Sequence, residues 1–179
     1  MSFLRTLTAT ALIAALPLSA LAVGGDSPPT PTETTKKCKN GEIWDKKIKK
    51  CVKPDGMGAN FDDDTLYIAA RELAYDGQYD HAITVLYQAK NRNDPRILNY
   101  LGFANRKAGR VEVGMGYYRQ AILIDPDYYL ARSYMGQSLV EQGKIGAARV
   151  QLREIQNRGG RGTWAEEALY QALHGTADY

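Results

Sequence analysis

Three short strings, each beginning with glycine, recur along this chain at almost constant spacing. They are Gly77-Gln-Tyr-Asp-His-Ala82, Gly109-Arg-Val-Glu-Val-Gly114 and Gly143-Lys-Ile-Gly-Ala-Ala148, and the leading glycines stand 32 and 34 residues apart. Each is preceded and followed by a segment whose apolar residues fall at helical spacing. A unit of that size cannot bury its apolar face alone. Stacked copies bury one another's faces, and about three are needed for stability. The spacing predicts an all-α array of helix pairs over residues 59–175, with a glycine in the turn inside each pair.

The second unit, 95–128, carries the pattern most fully: Leu98, Leu101, Gly102, Gly109, Tyr118, Ala121 and Pro126. The first has Leu66, Ala69, Ala70, Leu73, Gly77, Tyr79, Ala82, Leu86 and Ala89; the third has Met135, Gly136, Leu139, Gly143, Ala148 and Leu152. This arrangement resembles the tetratricopeptide repeat, an antiparallel helix pair of about 34 residues. The second unit departs from that family at Asn105, where Tyr is usual, and at Gly114, where Ala is usual. The first unit's link, Asn91–Pro95, is out of register, and Gly159-Gly160 replaces the terminal proline of the third. The resemblance implies a helix-pair solenoid in which small residues let paired helices approach and larger ones fill the space between units. Asp62-Asp63-Asp64-Thr65 opens the first helix with acidic groups at its N-terminus rather than forming a calcium site. Thr163-Trp-Ala-Glu166 is a capping box opening one last helix through Leu169 and Leu173, with Trp164 packing there to seal the array. Seven helices are expected between about 62 and 174.

Ahead of the array lies a different kind of sequence. Residues 1–22 carry one charge, Arg5, then an apolar run, Pro17 and Ala20-Leu21-Ala22. This reads as a signal peptide cleaved after Ala22; the alternative is a retained membrane anchor. Residues 23–37, rich in Pro, Thr and Gly, read as an extended, mobile linker. Cys38 and Cys51 then bound a loop over 38–53, and export makes their pairing as a disulfide the expectation. Asn40-Gly41 is a turn signal; Ile43-Trp44 and Ile48 read as strands flanking Asp45-Lys46-Lys47, with Trp44 as the hairpin's packing residue. The string C-x-x-G-x-x-W-D followed by five residues and Cys resembles half of a peritrophin-type chitin-binding module, which implies that Trp44 could stack on a sugar. Pro54 to Gly58 reads as a hinge.

Function is bounded by what the composition lacks. A formal charge of +3 gives no ground for a nucleic-acid partner. Two His and two Cys leave little for a zinc site, and no cofactor is implied. No nucleophile–base pairing, phosphate loop or metalloprotease motif is present, and Gly114-Met-Gly116 lies inside a helix, so no enzyme is expected. Eight Lys against five acids in 23–58 set a basic head on a near-neutral body, and that Lys-rich loop offers a contact to an anionic envelope surface. By the family resemblance, a groove would be lined by Tyr67, Arg71, Tyr75, Asn99, Tyr100, Phe103, Arg106, Lys107, Ser133, Tyr134, Gln137 and Glu141. Tyr and Arg suit binding hot spots, although Tyr100 and Tyr134 could instead pack between units. The expected function is an exported scaffold that takes a peptide or protein partner in this groove, periplasmic or secreted. The alternative is an envelope glycan binder using the Cys38–Cys51 loop and Trp44.

Overall fold

A computed structural model of the chain describes residues 28–56 and 60–175. The signal segment read at 1–22, part of the linker and part of the hinge lie outside the described residues. The body consists of α2 (Asp63–Tyr75), α3 (Tyr79–Leu86), α4 (Pro95–Lys107), α5 (Val111–Ile124), α6 (Tyr129–Glu141), α7 (Ile145–Asn157) and α8 (Trp164–His174). Packing is between the members of each pair, α2 with α3, α4 with α5 and α6 with α7. The first helices of successive pairs also touch, and α8 lies against α6 and α7.

The glycines close these pairs by one repeated device. Gly77, Gly109 and Gly143 have φ of +79°, +83° and +72°, which a Cβ would strain. The residue after each glycine donates its N–H to the carbonyl five residues back: Gln78 to Leu73, Arg110 to Asn105, Lys144 to Leu139. Gly159 and Gly160 end α7 in the same way, with Gly160 bonding to Ile155. Asn105 supports the second closure, because its amide donates to the Leu101 carbonyl and accepts from Arg110 Nε, both at 2.8 Å.

Three other glycines bring helices together. A Cβ on Gly102 would stand 2.6 Å from the Tyr118 ring, and one on Gly114 would stand 2.7 Å from the Gly102 carbonyl oxygen. A Cβ on Gly136 would stand 2.5 Å from Leu169, so α8 seals α6 through a glycine. The ends are capped as the side-chain chemistry dictates. The Asp62 side chain accepts from Thr65 N at 2.7 Å, and Thr163 Oγ1 from Glu166 N at 3.3 Å. Glu166 does not return to Thr163; it takes the Gly162 N–H at 2.7 Å.

The N-terminal part differs from its sequence reading. Within the stretch read as a mobile linker, Glu33–Lys37 form the short helix α1, tied to the body. Glu72 of α2, buried, accepts from Thr32 N at 2.7 Å and Oγ1 at 2.6 Å, and from Thr35 N at 3.1 Å and Oγ1 at 2.5 Å. Burial pushes the Glu72 carboxyl upward, but these four bonds outweigh it and hold the group below its ordinary range. The strands are β1 (Ile43–Asp45) and β2 (Lys50–Val52), antiparallel, with Trp44 opposite Cys51. Cys38 and Cys51 are bonded. Ile48 is in the turn, not a strand, and is exposed. Ile43, 1% exposed, joins the main core while Trp44 is half-buried. Adjacent strand residues face opposite ways, and it is the Ile43 side that meets the helices. Among the described residues, no helix is long and apolar enough to cross a membrane.

Candidate partner-binding surface

Four helices, α2, α4, α6 and α8, supply one aromatic row. Tyr67 meets Tyr100 edge-on at 5.5 Å, Phe103 lies 5.1 Å from Tyr134, and Tyr134 meets Trp164 edge-on at 6.1 Å. Tyr75 stacks on Phe103 at 5.5 Å, and its hydroxyl is 2.8 Å from that of Tyr134. The row exists because the large residues on these helices meet across neighbouring units.

A hollow of about 300 Å³ opens beside this row. Tyr75, Phe103, Arg106, Lys107, Tyr134 and Gln137 line it, together with Pro28, Ala74, Tyr79 and Trp164. The groove read from sequence is therefore narrower than expected. Tyr67 and Arg71 lie outside the hollow, as do the fully buried Asn99 and Tyr100. Tyr100 works inside the body, accepting from Arg71 Nε at 2.9 Å, and burial raises the pKa of its hydroxyl and that of Tyr134. Ser133 is fully buried as well.

Charge at the hollow is unequal. Arg106 has a side chain only 2% exposed, and its Nη1 donates to Glu141 Oε1 at 2.8 Å. Glu141 is thus a structural counter-ion, as is Asp64, whose carboxylate takes Arg96 at 2.9 Å. Lys107 is half-buried and has no ion pair among the described residues. Burial, then the neighbouring Arg106 charge, lower its pKa, with Glu141 opposing. The hollow combines aromatic walls with one cation that has no ion pair among the described residues. That suits an apolar or aromatic side chain carried beside an acidic group.

Sequence reasoning missed Tyr79 and the exposure of Trp164 to this hollow. Trp164 was legible only as a packing residue, and it packs on Tyr134 while lining the wall. Tyr79 sits at the start of α3, just past the loop glycine, where its ring reaches the α2–α4 side.

Two further hollows are lined by described residues. One of about 240 Å³ lies between the hairpin and α2, bordered by Trp44, Thr34, Asn60 and Ile68, with Lys37 Nζ 5.2 Å from the Trp44 ring centroid. The other, about 370 Å³, is bordered by Arg119, Leu123, Arg132, Met135 and Arg158. The two histidines have ordinary local partners: His81 Nδ1 is 3.0 Å from Gln78 Oε1, and His174 Nδ1 is 2.7 Å from the Tyr170 carbonyl. No group of three His, Cys, Asp or Glu that could hold a metal ion gathers among the described residues. Comparison with protein-family models gives no match, and neither does comparison with curated proteins.

Proposed function

We propose that this chain is a tetratricopeptide-like helical scaffold, exported to the cell envelope, that binds a peptide or protein partner at the hollow between α2, α4, α6 and α8. The observation that carries the reading is Lys107: a half-buried cation without an ion pair among the described residues, set among Tyr75, Phe103 and Trp164. A partner segment with an aromatic or aliphatic side chain and a nearby carboxylate would satisfy both features. The repeated glycine closures and helix pairs support the repeat reading. The disulfide is consistent with an oxidising compartment, as an exported protein would meet. The glycan reading of the hairpin has less support, because Lys37 already occupies a face of Trp44.

The test is selection of binding peptides from a displayed random library on the oxidised protein, followed by calorimetry. Tyr79→Ala should weaken a selected peptide about 30-fold, as a central aromatic contact does. Lys107→Gln should weaken it about fivefold, more at low salt than at high. Phe103 is a poorer probe, since at 7% exposure its truncation would hollow the core. Selected peptides that bind Tyr79→Ala and Lys107→Gln as tightly as the parent, but lose affinity for Leu123→Ser, would refute the assignment.

A further inference from the structure

We propose that the tip of the disulfide-stapled hairpin docks on the headgroup surface of an anionic lipid bilayer. Five consecutive residues carry the inference: Lys46, Lys47, Ile48, Lys49 and Lys50, all exposed. None of the four lysines has an ion pair among the described residues. The nearby acids are otherwise engaged. Asp45 Oδ1 accepts from Lys47 N at 2.7 Å and Ile48 N at 3.3 Å, which fixes the turn. Asp62 feels the Lys47 charge but is the cap of α2. The tip therefore presents an excess of positive charge at close quarters.

The apex residue is not polar. Ile48 is 55% exposed in the middle of this lysine run. A polyanion such as a wall polymer or polyphosphate has no use for an aliphatic side chain there. A bilayer does: the lysines meet phosphate headgroups while the aliphatic group enters the interface. The base of the hairpin is held by the Cys38–Cys51 bond, by Ile43 in the core and by Trp44 N donating to Thr34 Oγ1 at 3.3 Å. The tip is presented pre-formed, so little ordering entropy opposes docking.

Sedimentation of the oxidised mature chain, beginning at Val23 so that the apolar segment 1–22 does not itself enter the lipid, with vesicles tests this. Phosphatidylcholine vesicles containing phosphatidylglycerol should bind the protein, pure phosphatidylcholine vesicles should not, and added salt should weaken binding steeply. Each lysine near such a surface strengthens partition about fivefold, so Lys46→Ala with Lys50→Ala should weaken it about 25-fold. Ile48→Ser keeps every charge and should weaken it about tenfold. Tyr79→Ala should bind vesicles as the parent does, which keeps this result separate from the fate of the pocket. No partition onto the anionic vesicles, or partition unchanged in both hairpin variants, overturns the proposal. Polyphosphate binding as strong as vesicle binding, with Ile48→Ser neutral for both, would assign the tip to a polyanion instead.

Discussion

Gly114 and Gly116 lie on the same helix, α5, and an alanine at either position gains the same helix propensity, about 1 kcal/mol. Their surroundings differ. At Gly116 a Cβ would meet nothing within 4 Å, whereas at Gly114 it would meet the Gly102 carbonyl at 2.7 Å and Arg106 N at 3.0 Å. Both atoms at Gly114 are backbone of α4, so no flexible side chain can give way and the helices must part. Overpacking of this kind costs about 1–3 kcal/mol. Gly116→Ala should therefore stabilise by about 0.5–1 kcal/mol, and Gly114→Ala should destabilise by up to about 2 kcal/mol once the propensity gain is subtracted. For a domain of this size, a change of 1 kcal/mol moves Tm by about 2–4 °C, so the two variants should shift in opposite directions from the parent. Urea unfolding followed by circular dichroism at fixed m-value checks the same ordering. If Gly114→Ala proves as stabilising as Gly116→Ala, the close α4–α5 approach is wrong.

The remaining predictions concern the anchor, the core and the staple. Glu72→Ala removes an acceptor for four hydrogen bonds and should cost about 2 kcal/mol, since the burial of the carboxylate offsets part of what charged hydrogen bonds contribute. Hydrogen exchange should show protection lost first at Thr34–Cys38; amides there that stay protected would contradict the anchor. Because the fold holds Glu72 below its ordinary value of 4.5, its contribution is present above that pH and is lost as pH falls through the lowered value. At the alkaline end, burial raises the pKa of Tyr67, Tyr100, Tyr118, Tyr128 and Tyr134 above the ordinary 10.0. Their contribution is intact below pH 10 and is lost as pH rises through the raised values, so melting temperature should fall above pH 10 and ionisation of these rings at 295 nm should coincide with unfolding. Ionisation of all tyrosines near pH 10 in the folded protein would show that the row is open to water. Thiol titration of the native protein, denatured without reductant, should find no free thiol, whereas two per chain would mean that the 38–51 loop is not closed in the cell.

The loop glycines were legible because a positive φ excludes most other residues, and the hydrogen bonds that close each turn depend on it. Gly114, a departure from the family pattern in sequence, finds its reason only in space, against the Gly102 carbonyl. The short helix α1 was not legible: it lies in a Pro- and Thr-rich stretch without apolar period, and what holds Thr32 is a carboxylate forty residues further on. The choice of Ile43 over Trp44 as the hairpin's buried side chain was equally hidden, since both faces of that strand carry an apolar residue and only the position of the body decides. Positional logic found six residues of the hollow, but it gives a side chain's direction and not its depth. Tyr100 and Tyr134 are bulky enough to fill the space that such logic leaves to a partner, so the surface closes except near Lys107 and Trp164.

The most direct measurement of the binding claim is site-specific photo-crosslinking in living cells. A photoreactive amino acid replaces Tyr79 at the hollow in one strain, and Leu123, 82% exposed and beside the α5–α7 hollow, in another. The account predicts a discrete crosslinked partner from position 79 that disappears when Lys107→Gln is added, and none from position 123. A partner captured from position 123 and not from 79 would contradict it.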